Sequence, residues 1–314
     1  QMSRAKTAVA FLALSAVWGS AFLATDIALR TVPPAFLGAV RFDVAALLLF
    51  AVAVARGDRV IPAARGEWRP ILAGGAFSIG AHHALLFSGQ VYVPGSVASV
   101  LLGIIPLATP TLTRLTATRE RLSAHRVVGL VLGFLGLVVI ANPDPGNLLS
   151  SNLVGAVLVF GSAVAFALGA VLTHDSETGM SLVSVQAWMM LVGAVTLHVT
   201  SAALPWESAA DAAWTQTTLV AAGYLAIVAG AGGFLLYFWL LDRVGPIEVS
   251  LLEYVIPGFA ALADWTVLGR VPTRATVAGF ALIFAGFLLF KRDAVRAELR
   301  RVVDRRRGRR PTDD

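Results

Sequence analysis

The 314-residue chain contains no cysteine. It therefore has no disulfide framework, no thiolate nucleophile and no cysteine-ligated metal. Charge is scarce as well. Asp, Glu, Lys and Arg make up 14 % of the residues, against about 25 % in soluble globular domains. Lysine occurs only as Lys6 and Lys291, which removes the mid-helix amine that a retinal-type Schiff base requires. No H-E-x-x-H box, G-x-S-x-G elbow or facing pair of aspartates is present, so an intramembrane enzyme finds no support, and no metal or cofactor is expected. What remains is a chain that is 57 % hydrophobic with a mean hydropathy of +0.76. Apolar stretches near twenty residues recur along its whole length, and each is long enough to cross a bilayer as a helix. Shorter alternating segments, the pattern of a membrane β-barrel, are not seen. The fold class is an all-α polytopic membrane protein.

Reading apolar runs between breaks predicts ten helices at 8–29, 35–55, 71–91, 96–117, 127–141, 153–173, 182–204, 218–240, 247–268 and 275–290. The breaks are the turn-rich "TVPP", "NPDPGN", "LPWESAAD" and "DRVGP". With a cytoplasmic N-terminus, ten spans put every Lys and Arg on the cytoplasmic side except Arg30, Arg41, Arg270 and Arg274, as the positive-inside rule demands. Both termini are thus expected in the cytoplasm, in the inner membrane of a prokaryotic cell. The basic tail, 291–314, reads as an orientation anchor that can also touch anionic lipid. Its arginines lack interleaved aromatics, which argues against nucleic acid.

The chain also repeats itself. "VPGSVASVLLGIIPL" at 93–107 matches "VGPIEVSLLEYVIPG" at 244–258, placing Pro106 against Pro257 and Ser99 against Ser250. Gly129 and Gly136 have the same spacing as Gly279 and Gly286. Two five-helix halves follow, 3–142 and 151–290. Because five is odd, the second half enters the membrane inverted, an architecture associated with alternating-access carriers. The glycine pairs read as close helix packing; a contact between two copies of the chain is the other reading, and monomer or homodimer stays undecided.

Several stretches resemble a known family. "AVWGSAF", "AFLGAVRFDVAALLL", "GSVASVLLGIIPLATPTL", "ERLSAHRVVGLVLGFLGLVVI" and "GFALIFAGFLLF" are similar to EamA-type members of the drug/metabolite transporter superfamily, over nearly the whole chain. The resemblance implies ten helices, both termini inside, a central cavity lined by the first, third, fourth, sixth, eighth and ninth spans, and export or exchange of small metabolites such as amino acids. A channel, or a lipid or nucleotide-sugar carrier of the same fold, is the alternative. The family's acid after the ninth span is replaced by Arg270, whereas Glu120 is present after the fourth.

Polar residues inside apolar runs supply the candidate site. Glu253 lies about 10 Å into the ninth span and must face the bundle rather than lipid. Arg41, deep in the second span, is expected to pair with Asp26, Asp43 or Glu253, or to hold a substrate carboxylate through its planar fork. His82 and His83 sit mid-span near Phe87, but adjacent histidines diverge by about 100° on a helix, which opposes metal binding. Trp18, Phe166, Tyr237 and Tyr254 are candidate aromatic walls, and Ser99 and Ser250 candidate polar linings. Pro106 and Pro257 interrupt helical hydrogen bonding and are candidate hinges. Asp264 and Glu248, near span ends, are expected to be wetted.

Overall fold

The computed structural model describes residues 4–117, 123–141, 151–174, 176, 178–290 and 292. Among these the chain is helical, with no strand. The first half comprises α1 (Arg4–Ala28), α2 (Pro34–Ala55), α3 (Arg65–Ala73), α4 (His82–Gln90), α5 (Gly95–Leu101), α6 (Ile105–Ala117) and α7 (Ala124–Ala141). The second comprises α8 (Ser151–His174), α9 (Leu182–Ala203), α10 (Gln216–Tyr224), α11 (Gly233–Val249), α12 (Ile256–Ala263) and α13 (Arg274–Phe290). Among the described residues, seven helical stretches have the length and apolarity to cross a membrane, and Ala124–Ile140 and Arg274–Phe290 are shorter apolar helices. Large apolar side chains such as Leu47, Val54, Val199 and Val220 are exposed on the outside of the bundle. That inverts the habit of a soluble fold and suits a lipid surround.

Several of these short elements are parts of longer rods. α3 runs into α4 through a π-helical stretch, Gly74–Ala81, and α10 runs into α11 through another, Leu225–Gly232. α5 meets α6 through a 3₁₀ turn at Leu102–Ile104, and α11 meets α12 through one at Ser250–Tyr254. The continuous stretch Gln216–Leu268 has 53 residues, about 80 Å of helix at 1.5 Å per residue, far more than a hydrocarbon core of about 30 Å. It kinks at Gly245, whose backbone has φ 84° and ψ 165°. Only glycine adopts that conformation without strain of about 1–3 kcal/mol. Gly245→Ala is therefore expected to lower stability by that amount, and thermal unfolding of the purified protein measures it.

The third span starts at Arg65 rather than at 71, because a polar turn is capped. The Glu67 carboxylate accepts the backbone N–H of Ala63 at 2.7 Å and of Ala64 at 3.4 Å, and pairs with the Arg59 guanidinium. It also accepts the N–H of Gly179, from the other half, at 3.0 Å. Donors at the helix start are thereby satisfied by a side chain that hydropathy counts as a break.

The halves interlock along two seams, α2 on α9 and α7 on α13. On the second seam, glycine faces glycine. A Cβ at Gly136 would stand 2.5 Å from the Gly279 carbonyl oxygen, and one at Gly129 would stand 2.6 Å from that of Gly286. The repeated spacing thus packs the two halves of one chain at backbone contact, and these glycine faces are not left free for a second copy.

Candidate functional site

The rods that carry irregular turns converge at the centre. A π turn shifts the helical register and is frequent at functional sites; here one precedes His82 and His83, and its counterpart precedes Phe234 and Tyr237. The second π stretch also presents the Ala229 carbonyl, which accepts the indole N–H of Trp18 at 3.1 Å. Pro106 and Pro257 fall at the second residue of α6 and of α12, each just after a 3₁₀ or turn segment. At such a position the missing N–H costs little, because no helical partner was due to it. The change from 3₁₀ to α-helical geometry falls next to each proline.

These elements line a central cavity of about 60 Å³. Its walls are the apolar and aromatic side chains of Trp18, Phe22, Leu86, Phe87, Leu102, Phe166, Phe234 and Ile256, with Arg41, His82, His83, Gln90 and Glu253 as its polar groups. The space suits a few waters and is well below the 300–1,000 Å³ or so of a ligand-filled pocket. The cavity is small.

The histidines are anchored. His82 Nδ1 lies 3.1 Å from the Ser162 carbonyl and 2.9 Å from its hydroxyl, and His83 Nδ1 lies 2.8 Å from the Ile79 carbonyl. A carbonyl can only accept, so the proton on each neutral ring sits at Nδ1. Their rings stack edge to face at 4.6 Å, with Phe166 4.8 Å from His82 and Phe42 4.7 Å from His83. Among the described residues, no group of three or more potential ligands is placed to hold a metal ion.

Arg41 corrects an expectation. It forms no ion pair with Asp26, Asp43 or Glu253. Asp26 pairs with Arg270 at 3.0 Å and Asp43 with His198 at 2.7 Å. The Arg41 guanidinium instead lies 4.4 Å from the Phe42 ring centre and 5.4 Å from that of Phe87, with its Nε unbonded. Cation–π contact replaces a counter-ion. Glu253 is likewise buried, with Oε2 unbonded. In the repeat, Leu102 holds the position of Glu253, so one half contributes an apolar wall where the other contributes a carboxylate.

Four other candidates stand outside the cavity wall. Ser99 Oγ donates to the Ser96 carbonyl and Ser250 Oγ to the Ile247 carbonyl, each at 2.7 Å, so both hydroxyls are spent on their own helices. Tyr254 turns away to pack on Phe280, Phe284 and Phe287 of α13. Tyr237 forms a second layer, 5.2 Å from Trp18 and 5.1 Å from Phe166. Asp264 is not wetted: it is 1 % exposed, with both carboxylate oxygens unbonded. Glu248 is exposed.

Asp26 ties three elements together beside the cavity. Its carboxylate accepts Gln90 Nε2 at 3.1 Å, the Gly95 backbone N–H at 3.1 Å and Arg270 Nη1 at 3.0 Å. Gln90 lines the central cavity on one side of this cluster and, on the other, an outer cavity of about 320 Å³ that Asp26, Arg30, Tyr92 and Arg270 also line. At the opposite end lies a larger cavity of about 860 Å³ between α8, α9 and α11, bordered by Thr173, His174, Gln186, Trp239 and Asp242. Reading the sequence missed Phe234, Gln90 and Arg270. Only Arg270 carried a signal, by standing where the resemblance leads one to expect an acid.

The EamA-like transporter family model matches twice, over residues 5–142 and 153–292. An uncharacterized transporter of Archaeoglobus fulgidus is 28 % identical over 88 % of this chain and 95 % of its own. The uncharacterized inner membrane transporter YedA of Escherichia coli is 27 % identical over 81 % and 80 %. A probable terminal-alkyne amino-acid exporter of Streptantibioticus cattleyicolor is 27 % identical over 93 % and 95 %. A solved crystal structure with 21 % identity superposes with a TM-score of 0.67 over 94 % of this chain and all of that one, which extends the likeness to the fold. With two family matches spanning nearly all of its helices, this multi-pass membrane protein belongs to the EamA-like transporter family.

Proposed function

We propose that the protein is a secondary active transporter that exports or exchanges a small metabolite, an amino acid or a related compound, across the inner membrane by alternating access. Counting Gln216–Leu268 twice and adding the two shorter apolar helices makes ten spans, in two inverted halves with both termini cytoplasmic. The observation that carries the reading is the small central cavity, lined by buried Arg41 and Glu253 with one polar atom of each unbonded, beside which the Asp26–Arg270 cluster borders an outer cavity. A pore would keep a continuous wet path. A carrier must close one side before it opens the other. In the N-in orientation the cluster is the periplasmic gate, and the 860 Å³ cavity faces the cytoplasm. The amino-acid class is supported by the name of the Streptantibioticus relative.

Counterflow in liposomes tests the reading. Vesicles preloaded with an unlabelled amino acid are expected to accumulate the labelled compound transiently, saturably and well above empty vesicles. Flux that rises linearly with concentration, indifferent to internal load, would mean a channel.

A further inference from the structure

We infer that Arg41 and Glu253 are the two poles of a zwitterion-binding site in the central cavity, Arg41 taking a carboxylate and Glu253 the ammonium group of the same molecule. The inference rests on the transporter reading and names the residues that would select its substrate.

Three observations carry it. Both side chains are at least nine-tenths buried, 4 % exposed each, and both line the one cavity. Each keeps a polar atom unbonded, Nε of Arg41 and Oε2 of Glu253. Among the described residues, no carboxylate oxygen approaches the Arg41 guanidinium within the 4.0 Å of an ion pair. A guanidinium and a carboxyl group that line one apolar chamber without meeting leave room for something between them. A buried charge with no counter-charge is expensive, so a ligand that supplies both complements is strongly favoured over one that supplies either alone.

The chemistry of the walls narrows the ligand. Arginine presents a planar fork that matches a carboxylate bidentately, with contacts of about 2.7–2.9 Å. Glu253 accepts the donors of an ammonium group over the same distance. An α-amino acid holds these two groups on one carbon and so bridges the poles. Most other polar atoms in the wall are committed: Trp18 Nε1 to Ala229, His82 and His83 through Nδ1, and Gln90 Nε2 to Asp26, with Gln90 Oε1 left unbonded. The main surface left for the substrate's side chain is the aromatic one of Trp18, Phe166 and Phe234, with Trp18 5.3–6.1 Å from the other two rings. An apolar side chain fits there and a second charge does not. Because the cavity is now only about 60 Å³, binding must widen it, and ligand and opening are coupled.

Binding to the detergent-purified full chain is measured for L-phenylalanine, L-leucine, 3-phenylpropionate and phenethylamine. In the wild-type protein at least one amino acid is expected to bind more than tenfold tighter than either half-ligand. Arg41→Gln should abolish amino-acid and phenylpropionate binding while sparing phenethylamine. Glu253→Gln should abolish amino-acid and phenethylamine binding while sparing phenylpropionate. If the variants fold poorly, the wild-type comparison alone decides. Half-ligands that bind as well as the amino acids overturn the assignment, and so does an uncrossed pattern in well-folded variants. Liposome exchange of a polyamine or sugar without amino-acid binding would overturn the zwitterion site and leave the carrier standing. No exchange of any small metabolite would overturn the carrier reading itself.

Discussion

Gly279→Ala is expected to destabilise the protein, although alanine is the better helix former. The new Cβ would stand 2.6 Å from the Gly136 carbonyl oxygen and closer still to the Ile140 side chain. The first of these neighbours is backbone, so α7 and α13 must separate along their seam rather than let one side chain turn aside. Overpacking of this kind costs about 1–3 kcal/mol, against a propensity gain of at most about 1 kcal/mol. Gly279→Leu removes any compromise and should prevent accumulation of folded protein. Gly258→Ala is the matched control, because nothing lies within 4 Å of its added Cβ. Thermal unfolding in detergent is expected to show a clear drop for Gly279→Ala and none for Gly258→Ala. Equal midpoints for the two would mean that the α7–α13 seam is not held at backbone contact.

The glycine seam was open to reading because spacing is a local property. Gly129, Gly136, Gly279 and Gly286 recur at seven-residue intervals, and a helix puts such residues on one face. Spans were readable for the same reason, since twenty apolar residues need no knowledge of their neighbours. Arg41, His82, His83 and Glu253 announced themselves as polar residues in apolar runs, and the fold brings all four to one cavity. Orientation around each rod was harder. Ser99 and Ser250 look like polar linings until their hydroxyls are seen bonded to their own helices, a local competition that spacing does not reveal. The π stretches add a further shift, re-aiming everything after Gly74 and after Leu225 relative to an ideal helix. Pairings between distant residues were out of reach. Nothing near Asp26 in the chain points to Arg270, and nothing near Asp264 says that its carboxylate is buried.

Asp26→Ala is expected to bias the protein toward a state open at the end where α1 meets α5. One carboxylate there joins a side chain of α4, the N-terminus of α5 and the loop before α13, tying the first half to the second. Its loss leaves the Gly95 N–H and one Gln90 donor without their acceptor, at about 1–3 kcal/mol for a buried group. The Arg270 contribution is discounted, because its side chain is 44 % exposed and such pairs are screened. Even 1.4 kcal/mol shifts a two-state equilibrium tenfold. The cysteine-free chain makes this measurable, since Thr25→Cys would be the lone thiol in the molecule and Thr25 lines the cavity just inside the cluster. In intact cells, labelling of that thiol by a membrane-impermeant maleimide should rise about tenfold when Asp26→Ala is added. Arg270→Ala should give a smaller rise. Exchanging the two residues, Asp26→Arg with Arg270→Asp, should not restore closure, because Gly95 and Gln90 offer donors that an arginine cannot accept. Unchanged labelling at normal membrane levels would show that the cluster is a static brace, and full closure in the exchanged pair would show that charge alone, rather than the hydrogen-bonded carboxylate, holds this end shut.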